Sequence, residues 1–216
     1  MLDTLTLSPS LSSSLKERTL AYHQSVEPAL SYLEDRGITR ATADTFLLGY
    51  VAEPMHGDER FLGTVSIPWL TQTGVVGFKF RRLETEGGRD KYDSPSGQTA
   101  RLFNARSLAD GGSVALVCEG EFDTILAASA LSVPAVGTPG SNWMGHWSRC
   151  FGDFDRVVVV GDNDLKEDGS NPGKKHAEKV RKAIPGAELV LPPLGFDLTD
   201  WVLAEGVDVV REGLGI

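Results

Sequence analysis

Three apolar runs in the second half of this 216-residue chain are each followed, within a few residues, by carboxylates. After VALVC (114–118) come Glu119, Glu121 and Asp123; after RVVVV (156–160) come Asp162 and Asp164; after ELVL (188–191) come Asp197 and Asp200. Gly120 and Gly161 stand beside them, where a tight turn can lift a side chain above the end of a strand. Carboxylates brought to one place repel one another until a cation neutralises them. A ligand set made only of oxygens, without His or Cys, selects a hard ion such as Mg²⁺ or Mn²⁺. A single Asp at such a turn serves equally well as a helix N-cap. Recurrence at three successive runs is what points to a metal centre.

For these positions to meet, the runs must be neighbouring strands. From residue 113 onward, apolar and helical stretches alternate: VALVC, FDTILAASA, VPAVG, a helix near NWMGHWSRC, RVVVV, KKHAEKVRKA, ELVL and a last helix from Thr199. That order predicts right-handed crossovers and a mainly parallel α/β sheet, with the uniformly apolar VVVV buried on both faces. Ligands of such a sheet bind at the carboxyl ends of its strands, where the acids lie. The first half has a different rhythm. Residues 1–14 read as a flexible N-terminal arm. LKERTLAYHQSV, EPALSYLEDRG and TRATADTFLLG read as helices, and FLGTVSIPWL with GVVGFKFRR as an antiparallel hairpin turning at residues 71–74. The predicted organisation is an α+β subdomain over 15–111 followed by an α/β domain over 112–216.

Composition narrows the function classes. With 41% hydrophobic and 24% charged residues, 24 Gly and 11 Pro, the chain is neither collagen-like, coiled coil nor wholesale disordered. It has no stretch of 18 apolar residues and no basic, apolar leader at MLDTLTLSPS, so a cytoplasmic protein with no membrane partner is expected. Cys118 and Cys150 stand alone, 32 positions apart, and the four His are scattered, so no zinc site is expected. Neither G-x-S-x-G nor a P-loop occurs.

The net charge of −9 argues against a nucleic-acid partner until its distribution is read. Residues 113–216 hold 9 basic against 16 acidic side chains, whereas residues 79–106 hold 7 basic against 4 acidic. This local stripe contains Lys79, Arg81, Arg82, Arg89 and Lys91, with Tyr92 among them, suited either to stacking on a base or to packing. Lys174 and Lys175 begin the helical stretch after EDGSNPG.

CEGEFD after one strand, Gly137-Thr138 after the next and GDND after a third, with GKKHA downstream, resemble the Toprim domain shared by DnaG-type primases, topoisomerases and some nucleases. SYLEDRGIT, FLLGY, GVVGFKFRR and RDKYDSPSGQTARLFN resemble the basic N-terminal subdomain of the DnaG-type primase catalytic core, and DLTDW resembles the acidic element that closes phage and plasmid versions. Together the resemblance spans about residues 28–205. It implies a metal-dependent nucleotidyltransferase of primase type, making short RNA primers on single-stranded DNA during replication.

In site terms it implies Glu119, Asp162 and Asp164 as catalytic residues, and Glu119, Asp123, Asp162, Asp164, Asp197 and Asp200 as ligands of two or more Mg²⁺ or Mn²⁺ ions. Lys79, Arg81, Arg82, Arg89, Lys91, Tyr92, Lys174 and Lys175 would meet template and ribonucleoside triphosphate. The family's zinc-binding module and replicative helicase would be separate partners. KYDSP departs from the family in carrying Asp93 where Asn is usual, and GDND is looser than the usual aspartate motif. A Toprim nuclease and a non-catalytic single-strand-binding replication accessory are the alternatives that the same residues allow.

Overall fold

The computed structural model of the protein describes residues 7–84, 90–140 and 143–216. The chain forms two compact units, Met1–Thr99 and Ala100–Ile216. It is a mixed α/β protein whose two four-stranded sheets are built on different rules.

In the first unit, helices α1 (Pro9–Gln24), α2 (Leu30–Glu34) and α3 (Arg40–Phe46) precede an antiparallel sheet of order β1-β2-β3-β4. Its strands are β1 (Gly49–Tyr50), β2 (Thr64–Thr71), β3 (Gly74–Arg82) and β4 (Tyr92–Asp93). The predicted hairpin is present, with Thr71 paired to Gly74 and a bulge between Trp69 and Leu70. Because strand side chains alternate, β3 turns Phe78 and Phe80 to α1, where they join Leu15, Tyr22, Val51 and Phe61 in one core, and turns Lys79 and Arg81 the other way. Phe61 stacks on Phe80 at 3.9 Å between ring centroids.

The arm predicted over 1–14 is replaced by helix from Pro9 onward, and its residues 1–6 lie outside the described residues. Ser8 caps α1 by accepting from the Leu11 N–H, and Pro9 at the first helical position presets the backbone, so residues 9–14 are helical.

The second unit has β5 (Gly112–Cys118), α4 (Glu121–Ser129), β6 (Ala135–Gly137), β7 (Phe154–Val160), α5 (Pro172–Ala183), β8 (Glu188–Val190), α6 (Leu198–Glu205) and α7 (Val207–Leu214). Its sheet is parallel throughout, in the order β6-β5-β7-β8. The apolar runs alternate between two cores. Ala115, Val117, Val157 and Val159 face α5 and the 3₁₀ segment Gly145–Phe151, while Leu116, Cys118, Val158 and Val160 face α4, α6 and α7.

Three expectations shift here. The segment near NWMGHWSRC is a 3₁₀ helix, and Gly206 divides the final helix into α6 and α7. The boundary falls at Thr99/Ala100, not at 111, because Leu102 and Leu108 enter the second unit's core and Phe103 bridges to Gly137. Among the described residues no helix is long and apolar enough to cross a membrane.

Candidate metal centre and cationic face

The acids of the second unit lie where the parallel sheet puts them. Glu119 directly follows β5 and Asp162 follows its neighbour β7 by two residues, so both stand at the carboxyl ends of paired strands. The Asp162 backbone N–H donates to the Glu119 carboxylate, while Glu119 Oε2 is buried with no hydrogen-bond partner among the described residues. Burial pushes the Glu119 carboxyl up, and nearby Asp164 adds to this. Asp162 is pushed up to about 8, first by burial and then by the negative charges of Asp123, Glu119, Asp197 and Asp164. Four carboxylates thus act on a fifth. Such an arrangement is costly when all are ionised, and a bound cation relieves it.

Close packing fixes Asp162 from below. A Cβ on Gly173 of α5 would come within 2.8 Å of Asp162 Cβ, and one on Gly161 within 2.4 Å of Ala177 Cβ. Both positions require glycine for α5 to seat this close. Asn163 between the two aspartates is a brace: its Nδ2 donates to the Pro192 carbonyl at 2.8 Å and its Oδ1 accepts from Asn171 Nδ2 at 2.9 Å.

The other three predicted ligands are engaged elsewhere. Asp123, 7% exposed in the first turn of α4, accepts from the Thr199 hydroxyl at 2.7 Å and the Thr199 N–H at 3.1 Å. Asp197 and Asp200 form a capping box at the start of α6, with Asp200 N–H donating to Asp197 Oδ1 at 2.7 Å. Among the described residues no three His, Cys, Asp or Glu side chains are gathered into a ligand set. Electrostatic reach exceeds coordination distance, so Asp162 feels four carboxylates that do not converge on one point.

Behind Glu119 a cavity of about 10 Å³ is lined by Cys118, Thr138 and His176, among apolar neighbours. Thr138 Oγ1 donates to the Glu119 carbonyl at 3.3 Å and lies 3.2 Å from His176 Nε2. Lys174 and Lys175 are exposed in the first turn of α5, which Asn171 caps.

In the first unit the predicted basic residues divide by environment. Lys79 Nζ and the Arg81 guanidinium lie 4.6 and 4.7 Å from the Tyr92 ring centroid. Arg81, only 5% exposed, is also 5.8 Å from the Tyr32 ring, over which Arg36 lies at 4.8 Å. The result is a run of alternating cations and aromatic rings. Arg82 is tied to the Asp90 carbonyl and to Asp93, which Arg60 also contacts. Lys91 is exposed, and Arg89 lies outside the described residues.

Sequence reasoning gave no role to Tyr32, Arg36, Arg60, Asn163, Asn171 and Thr199, and it carried Thr138 and His176 only within the Gly137-Thr138 and GKKHA motifs. Most meet partners more than twenty positions away, which no local pattern signals. Asn171 was the readable exception, since it directly precedes the helix-opening Pro172.

No family model matches the sequence. A structure of the DnaG primase catalytic domain bound to single-stranded DNA superposes with a TM-score of 0.74 at 19% identity, over 95% of this chain and 80% of that one. The fold is that of the DnaG primase catalytic core. The RNA polymerase domain of Mycobacterium tuberculosis primase DnaG, in complex with double-stranded DNA, superposes with a TM-score of 0.76 at 22% identity, over 96% of this chain and 81% of that one.

In sequence, the Gene 57 protein of Mycobacterium phage D29 is 29% identical over 158 residues, 70% of this chain and 98% of that protein. A protein of Novosphingobium aromaticivorans named 3-methyl-2-oxobutanoate hydroxymethyltransferase is 28% identical over 166 residues, 67% of this chain and 55% of that protein. In this fold Glu119 and Asp162 stand at strand ends of the parallel sheet, Asp164 lies exposed in the loop four residues beyond β7, and Lys79, Arg81 and Tyr92 lie on the antiparallel sheet.

Proposed function

We propose that the chain is a DNA primase catalytic core that joins ribonucleotides on a single-stranded DNA template in a divalent-metal-dependent reaction. The observation that carries this reading is the electrostatic strain at the β5 and β7 ends, where Asp162 is surrounded by like charge and Glu119 Oε2 has no donor among the described residues. The donor set is all oxygen and fits Mg²⁺ or Mn²⁺. Glu119, Asp162 and Asp164 would hold the ions. Bound there, a divalent ion would supply positive charge to offset that of the triphosphate and of the leaving pyrophosphate and would make the attacking 3′-hydroxyl more acidic.

The rest of the task belongs to the chain's own groups. The Asp162 N–H and the close seating of Gly173 orient Glu119 and Asp162 before any ligand arrives. Lys174 and Lys175 add positive charge in the first turn of α5, suited to phosphate oxygens. Exposed Lys91 gives sequence-independent attraction to a phosphate backbone, and Tyr92, held by Lys79 and Arg81, offers a ring for stacking. The choice of template is supported by the single-stranded DNA bound to the DnaG primase catalytic domain that shares this fold.

Incorporation of labelled ribonucleotides on single-stranded DNA, with Mg²⁺ or Mn²⁺, tests the reading. Short RNA from wild type, lost in Glu119→Gln, is expected. Cleaved template without new RNA would replace it by the nuclease reading. Retained single-strand binding with neither product would make the chain an accessory.

A further inference from the structure

We propose that Asp123 is a positioning residue rather than a metal ligand: its carboxylate clamps the first turn of α4 to the first turn of α6 through Thr199 and thereby sets the Glu119 turn. The inference rests on the metal-centre reading above and assigns work within it.

One oxygen is already committed. Asp123 Oδ1 takes both donors of Thr199, the hydroxyl at 2.7 Å and the backbone N–H at 3.1 Å. That N–H belongs to the first turn of α6, where backbone donors have no partner within the helix. The second oxygen turns back on its own helix, since a Cβ on Gly120 would lie 3.0 Å from Asp123 Oδ2. Both partners are buried, Thr199 at 3% and Asp123 at 7% exposure, so neither is offered to solvent.

What the clamp holds follows from the chain path. Glu119 and Gly120 form the turn between β5 and α4, and Asp123 lies four residues beyond Glu119. Fixing the start of α4 to α6 therefore fixes the turn from its far side, while the Asp162 N–H fixes the Glu119 carboxylate itself. A slack clamp would let the turn shift, and a shift of about 1 Å in a reacting group can cost on the order of a hundredfold.

The two roles respond differently to substitution. Asp123→Asn keeps a carbonyl oxygen for both Thr199 donors but loses the charge a ligand needs. Thr199→Val loses the hydroxyl donor and leaves all the carboxylates in place, and Thr199→Ser restores it. The measurements are the affinity for Mn²⁺ by calorimetric titration, the metal-free melting temperature, and kcat and KM for Mn²⁺ in primer synthesis.

The clamp predicts that Asp123→Ala and Thr199→Val each weaken Mn²⁺ binding about three- to tenfold. It predicts that the double variant is no weaker than Asp123→Ala, that Thr199→Ser stays within about twofold of wild type, and that Asp123→Asn, which keeps the clamp and loses only a charge acting through space, weakens binding less than Asp123→Ala. Loss of binding in Asp123→Asn with wild-type binding in Thr199→Val would overturn it in favour of direct coordination. A lower melting temperature in Thr199→Val with unchanged Mn²⁺ affinity would overturn it in favour of plain structural support. Absence of primer synthesis in wild type would count against the function proposed above, while the titration would still judge the clamp.

Discussion

Each unit withdraws an aspartate from solvent, Asp58 fully and Asp162 in part, and the two are treated in opposite ways. Asp58 of the first unit, 2% exposed, is met by the Arg18 guanidinium and by the Tyr22 hydroxyl at 2.6 Å. That hydroxyl also accepts from the Met55 N–H at 3.1 Å, and burial together with the bond to Asp58 pushes Tyr22 up to about 12. Asp162 of the second unit is met by no cation among the described residues and instead has four carboxylates around it. A buried charge that is paired and hydrogen-bonded belongs to the architecture, whereas one left among its like is held there by the fold at a cost in stability. The difference separates carboxylates that hold the molecule together from those kept for a ligand.

The sharpest way to test that contrast is Asp162→Asn. Primer synthesis is expected to fall at least about a hundredfold, since metal-borne charge stabilisation is worth several kcal/mol. The metal-free protein is expected to become no less stable, because Asn is neutral like the protonated wild-type carboxyl below about pH 8 and removes a repelling charge above it. Wild-type Asp162 holds its proton in the fold up to about pH 8, whereas the unfolded chain releases it near the ordinary value of 3.8. Stability from this group is therefore full below about pH 4 and is lost as pH rises through 8. Melting curves from pH 5 to 8.5 check this: Asp162→Asn should flatten the decline, and an unchanged slope would remove Asp162 from the account.

Asp58→Ala should show the reverse pattern, with a loss of about 3–5 kcal/mol because the Arg18 charge and Tyr22 hydroxyl are stranded. Mn²⁺ affinity should stay within about twofold of wild type. Urea unfolding beside the same titration separates the two effects, and a matching loss of Mn²⁺ binding would erase the distinction between the units.

Lys91→Ala is the smallest change expected. Single-strand binding should weaken a few-fold and the salt dependence should drop by about one phosphate contact, with no change in melting temperature. Binding measured across several salt concentrations decides it, and an unaltered salt slope would exclude Lys91 from the interface.

Much of the second unit was legible because its signals are local. VALVC and RVVVV are too short and too apolar for anything but strands buried on both faces, and the Gly-acid turns after them mark the site. The helical start at Pro9 was equally readable from Ser8-Pro9, but the Ser-rich stretch behind it obscured the signal. What stayed hidden was non-local. Nothing in DLTDW announces that Thr199 will hold Asp123, 76 positions earlier. Arg81 reads as a surface charge by composition, yet Tyr32 and Tyr92 close over it only once the sheet and α2 are formed. Phe103 lies within the basic stretch in sequence and still pairs with Gly137, which is why the unit boundary falls before it.

The strands that carry the acids are also the middle pair of a four-stranded sheet covered on both faces. Amides in such strands exchange with solvent only when the whole cooperative unit opens, while helix ends and edge strands open at lower free energy. Glu119 sits one residue, and Asp162 two, beyond this central pair. Partial fraying of α7 therefore leaves the carboxylate geometry standing, whereas opening of β8 would release the Gly161 N–H from the Val190 carbonyl and loosen the Asn163 brace beside Asp162.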